Sequence, residues 1–179
     1  MGINPKVKAV FLDRDGVLNN AVIVDGKPYP PKSVNELVIP EGVKEGLKQL
    51  KELDYLLIVI TNQPDVARGT TPMKIVDDIN NYLKQELIID DFFCCVHDNA
   101  DNCECRKPKP GMIQTAAKKW NIDLDYSFMV GDRWRDIETG KNAGVKTILI
   151  DLEYKEKNIK PDYNSRNFLE ATQIIISLT

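Results

Sequence analysis

Short apolar runs alternate along this chain with longer segments in which apolar side chains recur every three or four residues. The clearest runs lie at residues 7–12, 55–61, 126–130 and 146–150, with a shorter one at 92–96. Uninterrupted apolar runs of this length are typical of strands inside a parallel sheet that helices cover on both faces. The pattern therefore predicts five buried strands.

The segments between the runs carry the helical period. They predict helices at residues 41–53, 72–87, 110–120, 135–143 and 167–177. Alternation of strands and helices is typical of an α/β domain, and we predict a Rossmann-like, doubly wound parallel sheet. Residues 1–179 are interpreted as a single domain without a cap, since the spacing between the predicted elements leaves no room for an additional domain.

Residues 17–40 form the one long segment without a clear period, and they contain four prolines. A segment of this length inside a compact domain is usually functional or mobile. Asn19, Asn20, Lys27 and Tyr29 offer hydrogen-bonding groups, so this is either a loop that covers a substrate or a poorly ordered surface loop.

Composition narrows the functional classes. The chain has 179 residues, of which 42% are hydrophobic and 28% charged, and its net charge is −3. This balance gives no basic field for nucleic acid, and no apolar run approaches the roughly 20 residues that span a bilayer. The first six residues do not resemble a secretory signal. We expect a monomeric cytoplasmic protein without a nucleic-acid or membrane partner.

Polar side chains cluster where the predicted strands end. The four clusters are Asp13 and Asp15, Thr61 and Asn62, Arg106 and Lys107, and Asp132 and Asp136. Parallel strands bring their carboxyl ends to one edge of the sheet, so these clusters should converge. Carboxylates, a hydroxyl, an amide and a lysine suit phosphoryl transfer with Mg²⁺. Taken singly, Thr61 and Asp136 could equally be helix caps, and Arg106, Lys107 and Arg133 solvated charges.

The four cysteines lie within twelve residues, which in a reducing compartment suggests a metal more than disulfides. Cys95 and His97 form one close pair, and Cys103 and Cys105 form another. Three cysteines and a histidine are a common structural zinc set, although these pairs are tighter than usual. The alternative is a loop histidine among small buried cysteines. Cys94 remains as a small core residue.

In order along the chain, the four polar clusters resemble the four motifs of the haloacid dehalogenase-like phosphatases. The matching strings are residues 13–16, residues 61–63, Lys107 and residues 131–136. The resemblance is closest to the capless, zinc-containing branch that holds heptose-bisphosphate and histidinol-phosphate phosphatases, and residues 67–69 and 105–108 add to it.

The resemblance implies a role for each motif residue. Asp13 would attack the phosphorus to form an aspartyl-phosphate, and Asp15 would protonate the leaving oxygen and then activate water. Thr61 and Lys107 would hold the phosphoryl group. The resemblance also implies three binding sites. Mg²⁺ would be bound by Asp13, the Asp15 carbonyl, Asp132 and Asp136, and the substrate would be contacted by Asn62, Arg106 and Arg133. A structural Zn²⁺ would be bound by Cys95, His97, Cys103 and Cys105, in a loop at about 94–107.

The function implied is hydrolysis of a small sugar phosphate, with the 7-phosphate of a heptose 1,7-bisphosphate as the expected group. Histidinol phosphate is the alternative within the class, and Arg133 stands where the heptose enzymes usually carry lysine. Two non-enzymatic readings come from other classes. A signalling receiver domain would be smaller and would lack Asp132, Asp136 and the cysteines; a zinc-stabilised binding module would have no use for an intact Asp13, Asp15 and Lys107.

Overall fold

The computed structural model describes residues 6–157 and 159–179. Six strands form one parallel sheet in the order β5–β4–β1–β6–β7–β8, and two more form an antiparallel hairpin, β2–β3. The strands are β1 (Ala9–Leu12), β2 (Val22–Val24), β3 (Lys27–Tyr29), β4 (Leu56–Asn62), β5 (Asp91–Cys95), β6 (Phe128–Gly131), β7 (Lys146–Ile150) and β8 (Tyr163–Ser165). The helices are α1 (Val43–Glu52), α2 (Met73–Glu86), α3 (Gly111–Trp120), α4 (Trp134–Ala143) and α5 (Phe168–Ser177).

Helices cover both faces of the sheet. Alternate side chains of β1 point to opposite faces, so Val10 and Leu12 join one apolar cluster while Ala9 and Phe11 join the other. The first cluster packs against α1, α2 and α5, and the second against α3. The prediction of a doubly wound parallel sheet is confirmed, and no cap domain is found in residues 6–157 or 159–179.

The sequence prediction missed three strands, one in the parallel sheet and two in the separate hairpin. Strand β8 is only three residues long and lies at the sheet edge, with the polar sequence Tyr-Asn-Ser, so no apolar run marked it. The hairpin β2–β3 lies inside the segment that had no clear period. Its turn, Asp25-Gly26, has positive φ at both residues (50° and 74°), which is the chemistry of a two-residue hairpin turn. That dipeptide was an available signal for the hairpin.

The order of the strands sets the position of the site. From β1 the chain proceeds outward to β4 and β5 on one side and, later, to β6, β7 and β8 on the other. A crevice opens outside the carboxyl end of the sheet where this direction reverses, and ligands of open α/β sheets bind there. The residues that follow β1, β4 and β6 therefore surround a single point.

Candidate active site

A buried lysine joins two aspartates at the carboxyl end of the sheet. The Lys107 ammonium lies 2.8 Å from Asp13, which follows β1, and 2.6 Å from Asp136 in the first turn of α4. It also donates to the main-chain oxygen of Ile60, at 3.0 Å. All three charged side chains are buried. The structure thus brings together the first, third and fourth sequence motifs.

Asp136 serves the helix as well as the cluster. One carboxylate oxygen accepts from the main-chain N–H of Arg133 at 3.0 Å, as a residue of the first helical turn does, and the other faces Lys107. The capping role and the site role considered for Asp136 are therefore compatible.

Burial and repulsion shape the charge of this cluster. Burial, with repulsion from Asp136, raises the pKa of Asp13 to about 7 against the lowering effect of Lys107. Burial, followed by repulsion from Asp13 and Asp136, raises the pKa of Asp132 well above its ordinary value. Burial opposes the charged form of Lys107, but the two aspartates beside it outweigh this effect and raise its pKa. One cation therefore faces three acidic groups.

The carboxylates of Asp13, Asp132 and Asp136 have the character of a cation site. Their ligand oxygens all lie within 4.8 Å of one another. Both oxygens of Asp132 are buried and lack a close hydrogen-bond partner among the described residues, with only the Tyr154 side chain interacting with the carboxylate from farther away; this is costly unless something else binds the oxygens. Few carboxylates and a small cluster of oxygens suit Mg²⁺. The donor set therefore fits the metal that the sequence predicted.

Gly16 is required for this arrangement. It has φ of +87°, and a Cβ atom at this position would lie 1.9 Å from a carboxylate oxygen of Asp132. Glycine alone lets the chain turn after Asp15 and lets the Asp132 carboxylate approach the backbone.

Asp15 is held on every side. Its carboxylate accepts from the buried guanidinium of Arg14, from the Gln63 amide at 2.8 Å and from the Asn19 amide at 3.0 Å. Arg14 is itself anchored to Asn80 of α2, at 2.9 Å. The Asp15 side chain is 16% exposed and lines the cavity. Its carboxylate is therefore held in one orientation but remains accessible from the cavity. The prediction that its main-chain carbonyl binds Mg²⁺ stays a prediction.

The second motif lies at the end of β4. Thr61 is buried, and its hydroxyl oxygen accepts a hydrogen bond of 2.9 Å from the Gln63 side-chain amide. Asn62 forms two hydrogen bonds with the main chain of Lys107, both 3.1 Å long. Its amide therefore positions the lysine, and a direct substrate contact through Asn62 stays a prediction although the residue lines the cavity.

The predicted zinc ligands lie close together. The sulfur atoms of Cys95 and Cys105 are 3.1 Å apart, Cys103 lies 3.5 Å from Cys105 and 3.7 Å from Cys95, and His97 Nδ1 lies 3.3 Å from Cys105. Zn²⁺ bonds of about 2.3 Å to sulfur and 2.0 Å to nitrogen place tetrahedral ligands at separations of roughly this size. Cys94 is not part of the group. The cluster could bind zinc.

The loop that carries these ligands orients Arg106. The Arg106 guanidinium donates to the side chain of Asn99 at 2.9 Å and to the main-chain oxygen of His97 at 3.0 Å, and it lies 3.8 Å from Asp98. Asp98 also forms a two-pronged pair with Arg68, with both distances 2.7 Å. Both arginines are therefore held by residues between the two ligand pairs.

A cavity of about 500 Å³ lies in front of the cluster. The hairpin contributes to its wall through Lys27, Pro28 and Tyr29, so the segment 17–40 does reach the site. The rest of the lining carries six cationic side chains and six acidic ones; the cations are Arg68, Arg106, Lys107, Arg133, Arg135 and Lys155, and the acids are Asp13, Asp15, Asp65, Asp132, Asp136 and Glu156. Four of the acids lie at the carboxyl end of the sheet, so the arginines give the outer part of the cavity groups that suit an anionic ligand.

Arg133 and Arg135 differ in their surroundings. Arg133 forms an ion pair with Glu156, which also lines the cavity. Burial, followed by repulsion from Arg106 and Arg133, lowers the pKa of Arg135. The guanidinium of Arg135 packs on the ring of Trp134, so that tryptophan contacts its neighbour.

Sequence reasoning assigned no role to Arg14, Gln63 or Arg135. Gln63 stood inside the second motif, and its position two residues after Thr61, just past the end of β4, was the available signal. Arg14 stood inside the first motif beside Asp15, with which it pairs, but its contact with the distant Asn80 had no sequence signal. In the described residues no helix has both the length and the apolar character needed to cross a bilayer.

Comparison with known proteins agrees with this geometry. A family model described as HAD-hydrolase-like matches residues 104–171. The D-glycero-beta-D-manno-heptose-1,7-bisphosphate 7-phosphatase of Helicobacter pylori is 36% identical, with 94% of this chain and 97% of that one aligned. The D-glycero-alpha-D-manno-heptose-1,7-bisphosphate 7-phosphatase of Campylobacter jejuni is 36% identical over 89% and 95%.

A solved structure has the same fold. The D,D-heptose 1,7-bisphosphate phosphatase from B. bronchiseptica, complexed with magnesium and phosphate, superposes with a TM-score of 0.80 at 27% identity, over 96% of this chain and 99% of that one. With this fold and with relatives matched along nearly their whole length, the chain belongs to the haloacid dehalogenase-like phosphatases, in the group that contains the heptose-1,7-bisphosphate 7-phosphatases.

Proposed function

We propose that this protein is a Mg²⁺-dependent phosphatase that removes the 7-phosphate from D-glycero-D-manno-heptose 1,7-bisphosphate. The observation that carries the proposal is the contact of the buried Lys107 with Asp13 at the floor of a cavity with four arginines in its lining. The Asp132 carboxylate lies beside this pair, and in the described chain it lacks a close hydrogen-bond partner. The names of the relatives supply the sugar. The arginines in the wall of the cavity support a substrate that carries two phosphates.

In the first step, a carboxylate oxygen of Asp13 attacks the phosphorus and the bond from phosphorus to the sugar oxygen breaks. The leaving oxygen takes its proton from Asp15, whose carboxyl is oriented by Arg14, Gln63 and Asn19. Lys107 and the Thr61 hydroxyl stabilise the charge on the phosphoryl oxygens.

In the second step, water attacks the phosphorus of the Asp13 aspartyl-phosphate and gives a proton to Asp15. The bond between phosphorus and Asp13 breaks, which releases inorganic phosphate and restores both carboxyls. Asp13, Asp132 and Asp136, with the Asp15 carbonyl, would hold Mg²⁺. When bound, the metal offsets the negative charge that gathers between these carboxylates and the phosphate.

We also propose that Cys95, His97, Cys103 and Cys105 hold one structural Zn²⁺. A closed set of four protein ligands leaves no position for substrate, so the metal would stabilise the loop and not take part in the chemistry. Its effect on catalysis would pass through Arg106, which hydrogen-bonds within this loop.

The arginines favour a substrate with a second phosphate. Lys107 is committed to the aspartates at the reacting phosphate, whereas Arg106 and Arg133 face the cavity. A planar guanidinium suits two-pronged binding of a phosphate. We propose that Arg106 and Arg133 bind the phosphate that is retained.

The experiment is phosphate release with Mg²⁺ from a panel of α- and β-heptose 1,7-bisphosphate, heptose 7-phosphate and histidinol phosphate. We expect the highest kcat/KM for a heptose bisphosphate. A preference for histidinol phosphate would favour the alternative substrate, and no turnover of any ester would favour a binding module. We also propose that residues 1–179 act as one domain and that the protein is a monomer in the cytoplasm. Size-exclusion chromatography tests the oligomeric state, a single cooperative unfolding transition tests the single domain, and cell fractionation tests the location.

A further inference from the structure

Three arginines of the cavity differ in how their charge is balanced. Arg106 has Asp98 at 3.8 Å, and Arg133 is paired with Glu156. Arg135 also lines the cavity and is half-buried, but no carboxylate of the described chain forms an ion pair with it. Among the described residues it has no direct ion pair: Glu156 and Asp136 attract it only from a distance, and repulsion from Arg106 and Arg133 outweighs that attraction.

The position of Arg135 is maintained by an aromatic ring. Its guanidinium carbon lies 5.1 Å from the centroid of Trp134, and the Lys157 ammonium lies 4.8 Å from that ring. This contact with the ring uses no N–H donor, and no described residue accepts a hydrogen bond from the Arg135 guanidinium. Arg135 is therefore held at the cavity wall with its donors available.

A half-buried cation beside two others is electrostatically unfavourable unless a ligand offsets it. The reacting phosphate is not the natural partner, because it must contact Asp13, which Lys107 already accompanies. The two cations that repel Arg135 are the cavity arginines Arg106 and Arg133. A dianion bound between these side chains would remove the repulsion.

We propose that Arg135 binds the phosphate that is not hydrolysed and thereby makes the enzyme prefer sugar bisphosphates to sugar monophosphates. This inference rests on the proposed function and adds a residue that determines specificity. Arg135 would bind the retained phosphate through N–H donors that form no other hydrogen bond in the described chain. Arg133, in contrast, must first break its ion pair with Glu156.

The test compares Arg135→Gln with a matched control, Arg166→Gln. Arg166 is an exposed arginine paired with Glu170 and lies outside the cavity, so the control makes the same change in net charge. The measurements are kcat/KM for heptose 1,7-bisphosphate and heptose 7-phosphate, and the inhibition constant of heptose 1-phosphate, which keeps only the distal group.

We expect Arg135→Gln to lower kcat/KM for the bisphosphate about tenfold and to raise the inhibition constant of heptose 1-phosphate by a similar factor. This is the effect expected from the loss of one charge-assisted hydrogen bond. The rate with heptose 7-phosphate should stay within about twofold, which also shows that the variant folds. Arg135→Lys should recover part of the loss, and Arg166→Gln should change neither substrate.

An equal loss with both substrates, an unchanged bisphosphate, or the same effect from Arg166→Gln would overturn the inference while leaving the phosphatase intact. A wild-type protein that cleaves other phosphate esters but no heptose bisphosphate would instead overturn the proposed function, and this inference with it.

Discussion

The floor and the wall of the cavity are built in different ways. On the floor, Asp13 follows β1, Thr61 belongs to β4 and Asp132 follows β6, so three neighbouring strands place them. On the wall, the hairpin β2–β3 and the residues around Glu156 lie outside the sheet, and the cysteine loop leaves it at Cys95, the last residue of β5. In the function that we propose, the floor carries the chemistry and the wall carries the charges that suit one substrate over another. A fold of this kind can keep its reaction and change its substrate by altering loops alone.

Removing the nucleophile tests the floor and should have the largest effect. Asp13→Asn should lower kcat by at least about a thousandfold and abolish the aspartyl-phosphate, because the amide is nearly isosteric but cannot attack phosphorus. Asp15→Asn should be severely impaired too, since an amide neither donates nor accepts the required proton. Both are measured by phosphate release and by trapping the phosphoenzyme. Circular dichroism should show that both variants fold, and substantial turnover by Asp13→Asn would contradict the mechanism.

Magnesium should stabilise the floor in a pH-dependent way. The pKa of Asp13 is raised from 3.8 to about 7, so the metal-free protein binds this proton more tightly than the unfolded chain and loses that stability as pH rises from about 4 to 7. Mg²⁺ binds the ionised form, so protons compete with it below pH 7. At about 100 times Kd, the metal should raise Tm by roughly 5–10 °C at pH 8 and by less at pH 6.

Thermal unfolding followed by circular dichroism measures this shift. Asp132→Asn should remove most of it, because Asp132 contributes two buried oxygens that lack a close hydrogen-bond partner among the described residues. An equal shift at pH 6 and pH 8, or a full shift in Asp132→Asn, would mean that the cation binds elsewhere. Chelation of Mg²⁺ should stop turnover.

The cysteine cluster links the wall to the floor. Cys103→Ser should lose one zinc per chain, as measured by elemental analysis, and should loosen the loop that precedes Arg106 and Lys107. Activity should fall by about a hundredfold, the cost of misplacing groups by about an ångström. Cys94→Ser is the matched control, since Cys94 lies outside the cluster, and it should keep both zinc and activity. Zinc-free wild-type protein purified without chelators would refute the assignment.

How well the sequence predicts each region follows from how that region is built. The floor was predictable because apolar runs mark β1, β4 and β6, and parallel pairing then brings Asp13, Thr61 and Asp132 together. The contacts that hold these side chains in place were less predictable, because several of them join distant residues. Arg14 pairs with its neighbour Asp15, but its buried guanidinium also donates to Asn80, 66 positions away. The Asn62 amide is used by Lys107, 45 positions away, which no local pattern reveals.

The same reasoning explains the missed strands and the missed arginine. β8 is short and polar, and the hairpin was marked only by its Asp25-Gly26 turn. Arg135 follows Trp134 in a charged motif, where a cation at a helix start reads as surface. Its importance depends on the pairing of the neighbouring carboxylates Asp136 and Glu156 with Lys107 and Arg133, and a sequence does not show which carboxylates are already paired.

Altering the wall without altering the floor should give the smallest and most selective effect. Arg106→Ala removes a nearly buried guanidinium that faces the cavity from the cysteine loop. It should lower kcat/KM for heptose 1,7-bisphosphate about tenfold and leave the monophosphate within about twofold, since only the bisphosphate uses its charge-assisted hydrogen bonds. Arg106→Lys should lie between, because it keeps the charge and loses the planar fork. Steady-state rates on the two substrates give the ratio that decides the matter. If Arg106→Ala slows both equally, Arg106 orients the loop that bears Lys107 and does not read the second phosphate, and the division between a catalytic floor and a selective wall fails at this residue.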